Sequence, residues 1–222
     1  MQPTKRPKVK VCCIQNMDEA WTAIRYGAAA LGLVSEMPSG PGTIPDERMR
    51  EIARAIPPGV SRFLLTSKTD PAAIIEQQKR IGVDTIQLVD RVTESAYAIL
   101  RSAMPGVQIV QVIHVTGADA LDLALAAAPH VDALLLDSGN PGAAIRELGG
   151  TGRLHDWLAS RKIREAVNVP VFLAGGLNAA NVAEAIQRVS PYGLDVCNGL
   201  RVGSRLDERQ VAAFFEAVFS PP

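Results

Sequence analysis

The sequence has no excess of charge of either sign. Its 222 residues contain 23 Lys and Arg against 23 Asp and Glu, so the formal net charge is zero. Proteins that bind nucleic acid usually carry a basic face, because the phosphates that they contact have to be neutralised. The balance of charge therefore argues against a nucleic-acid partner, and the chain has no acidic tail.

Cysteine is scarce, and long apolar runs are missing. The odd set Cys12, Cys13 and Cys197 does not make a disulfide framework, and reduced thiols are typical of cytosolic proteins. Residues 1–10 lack the apolar segment of a signal peptide. No run reaches the roughly 18 apolar residues that a membrane helix needs. We therefore expect a cytoplasmic protein with no membrane association.

What the chain does have is a repeated order of short apolar runs and amphipathic stretches. Hydrophobic residues make up 47% of the sequence, which is enough for a large core. The predicted strands are Lys8–Ile14, Ala30–Val34, Val60–Thr66, Thr85–Leu88, Val107–Val112, Ala133–Leu136, Pro170–Ala174 and Gly193–Val196. The predicted helices are Asp18–Tyr26, Pro45–Ile56, one opening at Asp70-Pro71, Glu94–Ala103, Ala118–Ala127, Asp156–Val167, Asn178–Val189 and Asp207–Phe219.

This order predicts an α/β fold, a single (β/α)8 TIM barrel over residues 1–222. Alternation of strand and helix argues for a parallel sheet. The run Ala133–Leu136 is apolar throughout, as expected of a strand that is covered on both faces. A doubly wound sheet would give the same alternation, but eight units in about 220 residues match the size of the closed barrel.

Three glycine-containing loops follow the last three predicted strands. They are Gly149–Gly152, Ala174–Leu177 and Asn198-Gly199. The active site of this fold lies at the C-terminal ends of the strands, and the loops after strands seven and eight form its usual phosphate site. Glycine lets backbone N–H groups surround an anion. We therefore predict a phosphate site; the alternative is that these glycines only form tight turns.

Two side chains at strand ends are candidates for acid–base chemistry. Asp137 follows a buried apolar run, where a carboxylate is costly unless it has a partner or a task. Its alternative role is a helix cap or a loop salt bridge. Cys12 ends the first strand and is either a reactive thiol or a small buried hydrophobe. Cys13 should face the other side of that strand and serve only in packing.

Metal and Schiff-base chemistry find little support in the sequence. His114 ends strand five alone, and His130 and His155 fall in helix or loop contexts, whereas a metal site needs several convergent ligands. No lysine ends a central strand, which weighs against a Schiff-base aldolase. We therefore expect no metal.

Together these residues resemble the phosphoribosylanthranilate isomerase family, whose members are (β/α)8 enzymes of tryptophan biosynthesis. The resemblance runs from the first strand to the last helix, and its motifs are most specific in the second half. The matching segments are Lys10–Cys12, Leu134–Asp137, Gly149–Gly152 with Asp156-Trp157, Leu173–Leu177 with Asn181-Val182, and Pro191–Val196.

The resemblance implies an Amadori rearrangement, an aldose–ketose isomerisation of N-(5-phosphoribosyl)anthranilate that uses no metal or organic cofactor. In this chain Asp137 would be the general acid, Cys12 as a thiolate the general base, and Asp195 a ligand of a substrate hydroxyl. The expected phosphate ligands lie in the three glycine loops, and Arg201 adds positive charge near them. These residues are Gly150, Gly152, Gly175, Gly176, Asn198, Gly199 and Arg201.

Several positions depart from the family pattern. The segment Ser39–Thr43 lacks the Arg that grips the anthranilate carboxylate, and Val89 stands in place of a His. Cys13 replaces a Gly, and Cys197–Arg201 replaces a Ser-Ser-Gly-x-Glu segment. Losing a charge-assisted bond to the substrate carboxylate costs about 1.5–3 kcal/mol.

Because the Arg that binds the anthranilate carboxylate is absent, three functions remain open. Arg25, Arg48 or Arg91 could substitute for the absent Arg, which keeps the isomerase activity. The alternatives are a paralogous isomerase for a different phosphorylated sugar or amine, and a non-catalytic barrel that binds a phosphate ligand. Each function has a small phosphorylated molecule as partner, and the chain is a monomer or a homodimer.

Overall fold

The computed structural model describes residues 6–38, 40–117, 119–139 and 156–220. Its eight parallel strands form a closed barrel in sequence order, with β8 pairing back to β1. The strands are β1 Lys8–Val11, β2 Ala30–Val34, β3 Ser61–Thr66, β4 Thr85–Leu88, β5 Gln108–His114, β6 Ala133–Asp137, β7 Val171–Leu173 and β8 Gly193–Val196. The predicted closed barrel is therefore confirmed, and the doubly wound alternative is not.

A helix follows each strand and covers the outside of the barrel. These helices are α1 Met17–Arg25, α2 Asp46–Ala55, α3 Pro71–Ile81, α4 Glu94–Ala103, α5 Ala120–Ala127, α6 Trp157–Ala166, α7 Val182–Val189 and α8 Glu208–Phe219. A short hairpin, β9 Arg201–Val202 with β10 Arg205–Leu206, precedes α8. Among the described helices, none combines the length and the apolar character that a membrane crossing requires.

Helix α3 illustrates how the local sequence sets these boundaries. The Asp70 carboxylate accepts a hydrogen bond from the Ala73 N–H at 2.9 Å, and Pro71 opens the helix where its missing N–H is not needed. Gly82 ends the helix with a left-handed φ of 80°, which glycine adopts without strain. The start of α3 is therefore confirmed at the predicted Asp70-Pro71 pair.

The inside of the barrel is filled by side chains from alternate strand positions. Phe63 of β3 and Phe172 of β7 meet edge to face, with ring centroids 6.1 Å apart. Gly193 of β8 leaves room for this pair, because a Cβ at that position would lie 2.4 Å from the Phe172 ring. These packed side chains close the interior of the barrel. Open space for a ligand therefore lies at the C-terminal ends of the strands.

Candidate functional site

A cavity of about 290 Å³ opens at the C-terminal ends of the strands, where the fold predicts the site. Seven of the predicted site residues line it: Cys12, Asp137, Gly175, Gly176, Asp195, Asn198 and Gly199. Gly150 and Gly152 lie outside the described residues. Residues from β1, β6, β7 and β8, far apart in the sequence, thus meet around one space.

Asp137 is the last residue of β6 and is buried at the cavity. Its Oδ1 accepts a hydrogen bond from the Ser138 N–H at 2.7 Å. Burial is the largest effect and raises the pKa of Asp137 above its ordinary value, with a further contribution from the Asp195 carboxylate. The hydrogen bonds from Ser138 act in the opposite direction but do not cancel the increase. A carboxyl group with a raised pKa is suited to donate a proton near neutral pH.

Cys12 directly follows β1 and presents its thiol to the same cavity. Its N–H donates to the Val196 carbonyl at 2.8 Å, so the inward alternation of β1 continues through this residue. Strand β7 and strand β8 separate β1 from β6 around the barrel. Cys12 and Asp137 therefore approach a bound molecule from different sides.

The prediction that Cys13 faces away from the site is wrong, although it does pack in a buried cluster. Strand β1 ends at Val11 rather than Ile14, and Cys13 has a left-handed φ of 63°, so strand alternation does not apply to it. Cys13 lines the cavity, where hydrogen bonds with Cys12 and Cys197, together with burial, raise its pKa well above the ordinary value. The same contact with Cys13 lowers the pKa of Cys197.

The loop after β2 closes against Cys13. Gly42 has φ 80°, and a Cβ at that position would lie 2.5 Å from the Cys13 Cβ. Gly40 and Pro41 line the cavity, and the Ile44 N–H returns to the Val34 carbonyl at 3.0 Å. Gly40 and Pro41, in the segment that lacks the family Arg, thus form part of one wall of the site.

Two consecutive glycines after β7 expose their backbone to the cavity. Gly175 and Gly176 have φ 82° and 65°, a left-handed pair that suits glycine. The Asn181 side chain fixes the turn: its Nδ2 donates to the Gly176 carbonyl, and its Oδ1 accepts from the Asn178 N–H, both at 2.9 Å. Within the described part of the chain, the Gly175 and Gly176 N–H groups donate no hydrogen bond and are available to an anion.

The loop after β8 packs directly on the loop after β7. A Cβ at Gly199 would lie 2.0 Å from the Leu177 carbonyl oxygen and 3.0 Å from the Asn178 Cα. Only glycine allows this approach, because the contact is with backbone that cannot move aside. The two loops therefore form one concave backbone surface, as a phosphate site requires.

Arg201 is predicted to lie near the phosphate site, but it does not line the cavity. Its guanidinium forms two bonds of 3.0 Å with the Glu19 carboxylate and donates to the carbonyls of Ser204, at 2.7 Å, and Cys13. Both members of the Arg201–Glu19 pair are buried. The guanidinium thus links α1 to the β9–β10 hairpin, and its Nε has no partner among the described residues.

The structure adds two polar groups that the sequence analysis did not single out. Lys10 lies inside the barrel, 0% exposed, with its Nζ 2.8 Å from Asp195 Oδ1. Gln87 of β4 is 3% exposed and lines the cavity, and its Oε1 has no hydrogen-bond partner among the described residues. A polar residue at an inward strand position is the signal that could have identified both.

None of the three proposed substitutes for the missing Arg lines the cavity. Arg25 lies near Glu208, Arg48 pairs with Glu51 on α2, and Arg91 borders a separate cavity beside α4 and α5. Apolar groups instead form the wall near the strand-two loop, and they are Val34, Met37, Pro41, Leu65 and Val89.

In the described part of the chain, no group of three or more His, Cys, Asp or Glu side chains is arranged to hold a metal ion.

The chain is similar in sequence and in fold to known proteins. The family model described as N-(5'-phosphoribosyl)anthranilate (PRA) isomerase matches residues 9–217. The chain is 38% identical over 214 residues to N-(5'-phosphoribosyl)anthranilate isomerase of Haloferax volcanii, covering 95% of this chain and 92% of that protein. The crystal structure of phosphoribosyl anthranilate isomerase from Thermotoga maritima superposes with a TM-score of 0.82 at 25% identity, covering 96% and 98% of the two chains.

A further crystal structure carries a ligand. It is a phosphoribosyl anthranilate isomerase in complex with reduced 1-(o-carboxyphenylamino)-1-deoxyribulose 5-phosphate, with a TM-score of 0.79 and coverage of 96% and 98%. Its identity to this chain is 23%, so it is evidence for the shared fold.

Proposed function

This chain belongs to the N-(5'-phosphoribosyl)anthranilate isomerase family, and from that premise we propose that Cys12 and Asp137 perform the proton transfers of the reaction. As a member of the family, it catalyses the Amadori isomerisation of N-(5'-phosphoribosyl)anthranilate in tryptophan biosynthesis. Membership favours this activity over the paralogous isomerase and the non-catalytic barrel. The observation that carries the assignment of roles is the meeting of Cys12, Asp137 and the two glycine loops at one cavity.

The first step is opening of the ribose ring. Asp137 donates its proton to the ring oxygen while the bond between C1 and that oxygen breaks, and the lone pair of the anilinic nitrogen forms the C1–N double bond of a protonated imine. The raised pKa of Asp137 favours the protonated carboxyl group that this step requires. The cavity supports the step because the carboxyl is buried beside the open space and not in bulk water.

The second step is removal of a carbon-bound proton. The Cys12 thiolate takes the proton from C2, the electron pair of that bond forms the C1–C2 double bond of an enolamine, and the π pair of the C1–N double bond returns to the nitrogen. The enolamine then tautomerises to the ketone as the C2 hydroxyl loses its proton and a proton is added at C1. The thiolate is the reactive form of cysteine, so the base needs a positive field near the sulfur.

The glycine loops supply the grip on the phosphate. The free N–H groups of Gly175 and Gly176 and the backbone of Asn198-Gly199 support this role, and Gly150 and Gly152 complete the proposed set. Asp195 is proposed to accept a hydrogen bond from a ribose hydroxyl through the oxygen that Lys10 does not occupy. The apolar wall of Met37, Leu65 and their neighbours is suited to the aromatic ring of the substrate.

The wider setting of the protein is also proposed. The whole chain, residues 1–222, is one domain, it is cytoplasmic, and it is a monomer or a homodimer. The three cysteines support the location, since all are free thiols, as expected of a reducing compartment.

The proposed function is tested by turnover. N-(5'-phosphoribosyl)anthranilate is generated in place, and the loss of anthranilate fluorescence is followed with the purified wild-type protein. We expect rapid decay that saturates with substrate. Decay at only the spontaneous rate would contradict the activity, and a thermal-shift series of sugar phosphates would then identify the ligand that the cavity takes.

A further inference from the structure

Lys10 is a cation sealed inside the barrel. Its side chain is 0% exposed, and its Nζ lies 5.2 Å from the centroid of the Phe63 ring. A lysine ammonium is strongly hydrated in water, so burying it costs free energy unless the charge is paired. Asp195 provides the partner at 2.8 Å.

Gly32 of β2 locates this ammonium relative to Cys12. A Cβ built on Gly32 would lie 3.1 Å from Lys10 Nζ and 2.9 Å from Cys12 Sγ. Nitrogen and sulfur are therefore at most 6.0 Å apart, the sum of these two distances. The absent side chain of Gly32 leaves the space into which both groups point.

The charges around the sulfur have opposite effects on a thiolate. Burial disfavours the thiolate, and the Asp195 carboxylate on β8 would repel it. Among the described residues, the other titratable groups that line the cavity are Cys13 after β1, Asp137 on β6 and Cys197 after β8. Two cations are described near them: Arg201, which donates to the Cys13 carbonyl and pairs with Glu19, and Lys10, which pairs with Asp195 and neutralises it.

We infer that Lys10 is a positioning residue of the isomerase, which holds Cys12 as the thiolate base and prevents Asp195 from repelling it. The inference rests on the proposed role of Cys12. The charge state of Lys10 agrees with it. Burial by itself lowers the pKa of Lys10, but Asp195 and smaller contributions from Cys12 and Cys13 raise it to about 12, so the ammonium is charged throughout the working range.

The test measures the ionisation of Cys12 without relying on turnover. The pH dependence of iodoacetamide alkylation at Cys12 is followed by mass spectrometry of the peptide that contains it. In Lys10→Met we expect the midpoint to move about 1–2 pH units upward, the size expected of unit charges about 6 Å apart in a protein interior. The acid limb of the kcat/KM profile should move by the same amount.

A matched control lies on the same strand. Lys8 begins the same strand and is exposed, so Lys8→Met removes the same charge from a solvent-exposed position and should leave the midpoint unchanged. Because Lys10→Met leaves Asp195 buried without its partner, the double variant Lys10→Met/Asp195→Asn is measured as well. Its interior is neutral, and we expect a smaller upward shift, since attraction is lost but repulsion is not gained.

Two results separate the two claims. A midpoint equal to that of the wild type in both Lys10 variants would overturn the role of Lys10, even if their melting temperatures fall. Retention of full turnover in Cys12→Ala would instead overturn the proposed base, and the alkylation data would still report on the charge next to the thiol.

Discussion

Two buried glutamines on neighbouring strands differ in whether their polar atoms already have partners. Gln111 of β5 is fully engaged: its Oε1 accepts from the Tyr97 hydroxyl at 2.8 Å, and its Nε2 donates to three carbonyls, the nearest at 3.0 Å. Gln87, on the neighbouring strand and equally buried, has an Oε1 without a partner among the described residues. An unpaired buried acceptor costs about 1–3 kcal/mol, and because Gln87 lines the cavity, this oxygen is open to a hydrogen bond from a ligand.

The variant Gln87→Leu should therefore be more stable and bind its substrate less well. Removing the unpaired oxygen should raise the melting temperature by about 2–4 °C, the effect of roughly 1 kcal/mol in a chain of this size. The KM should rise about tenfold, because a hydrogen bond to the substrate is lost. Calorimetry and steady-state kinetics measure the two changes. Gln111→Leu is the control and should lower the melting temperature, and a parallel fall in Gln87→Leu would refute the assignment.

The loops after β7 and β8 meet at this site through a glycine, at a position where any side chain would clash with backbone. Gly199 brings the turn after β8 against the Leu177 carbonyl. In Gly199→Ala the new Cβ would overlap that oxygen, so the two loops should separate and the affinity for phosphate should fall tenfold or more. Competitive inhibition by inorganic phosphate measures this affinity.

The control for Gly199→Ala replaces a glycine away from the site. Gly82 ends α3 with nothing near its would-be Cβ, and asparagine tolerates its left-handed φ. Gly82→Asn should leave phosphate inhibition unchanged. Equal inhibition of the wild type and Gly199→Ala would argue against loop packing as the basis of the phosphate grip.

The sequence predicts elements well where the pattern is local, and it fails where the determinant is a distant contact. Alternation and capping place α3 at Asp70-Pro71 and β6 at the run that ends in Asp137. The end of β1 is missed because the left-handed turn at Cys13 depends on Gly42, far along the chain. Arg201 is misassigned for the same reason, since its partner Glu19 is 182 residues away.

At the scale of the whole molecule, this pair joins the first and last helical units of the barrel. The Glu19 carboxylate bonds the Arg201 guanidinium and also accepts from the Leu206 N–H at 3.1 Å. Burial alone raises the pKa of Glu19, but the bonds from Arg201, Leu206 and Gln15 lower it below its ordinary value. A carboxylate with a lowered pKa stabilises the fold above the ordinary Glu pKa, and this contribution is lost as the pH falls through the folded-state value.

Glu19→Gln should therefore lower the free energy of unfolding by about 3 kcal/mol at neutral pH, because Arg201 is left buried without its counter-charge. The difference from the wild type should shrink as the pH falls into the acid range. Urea unfolding at stepped pH values measures both. The control is Glu165→Gln, which breaks an exposed pair with Arg161 and should have little effect. A difference that is independent of pH would show that the ionised pair is not what Glu19 contributes.

The central claim is that Cys12 and Asp137 are the base and the acid of one isomerisation. The most direct measurement is the decay of N-(5'-phosphoribosyl)anthranilate fluorescence under single-turnover conditions with the wild type, Cys12→Ala, Asp137→Ala and, as a second thiol of the same cavity, Cys197→Ala. The account predicts a loss of at least about 100-fold in the first two variants, the usual contribution of a positioned acid or base, and near wild-type decay in Cys197→Ala. Decay at the wild-type rate in either Cys12→Ala or Asp137→Ala would contradict it.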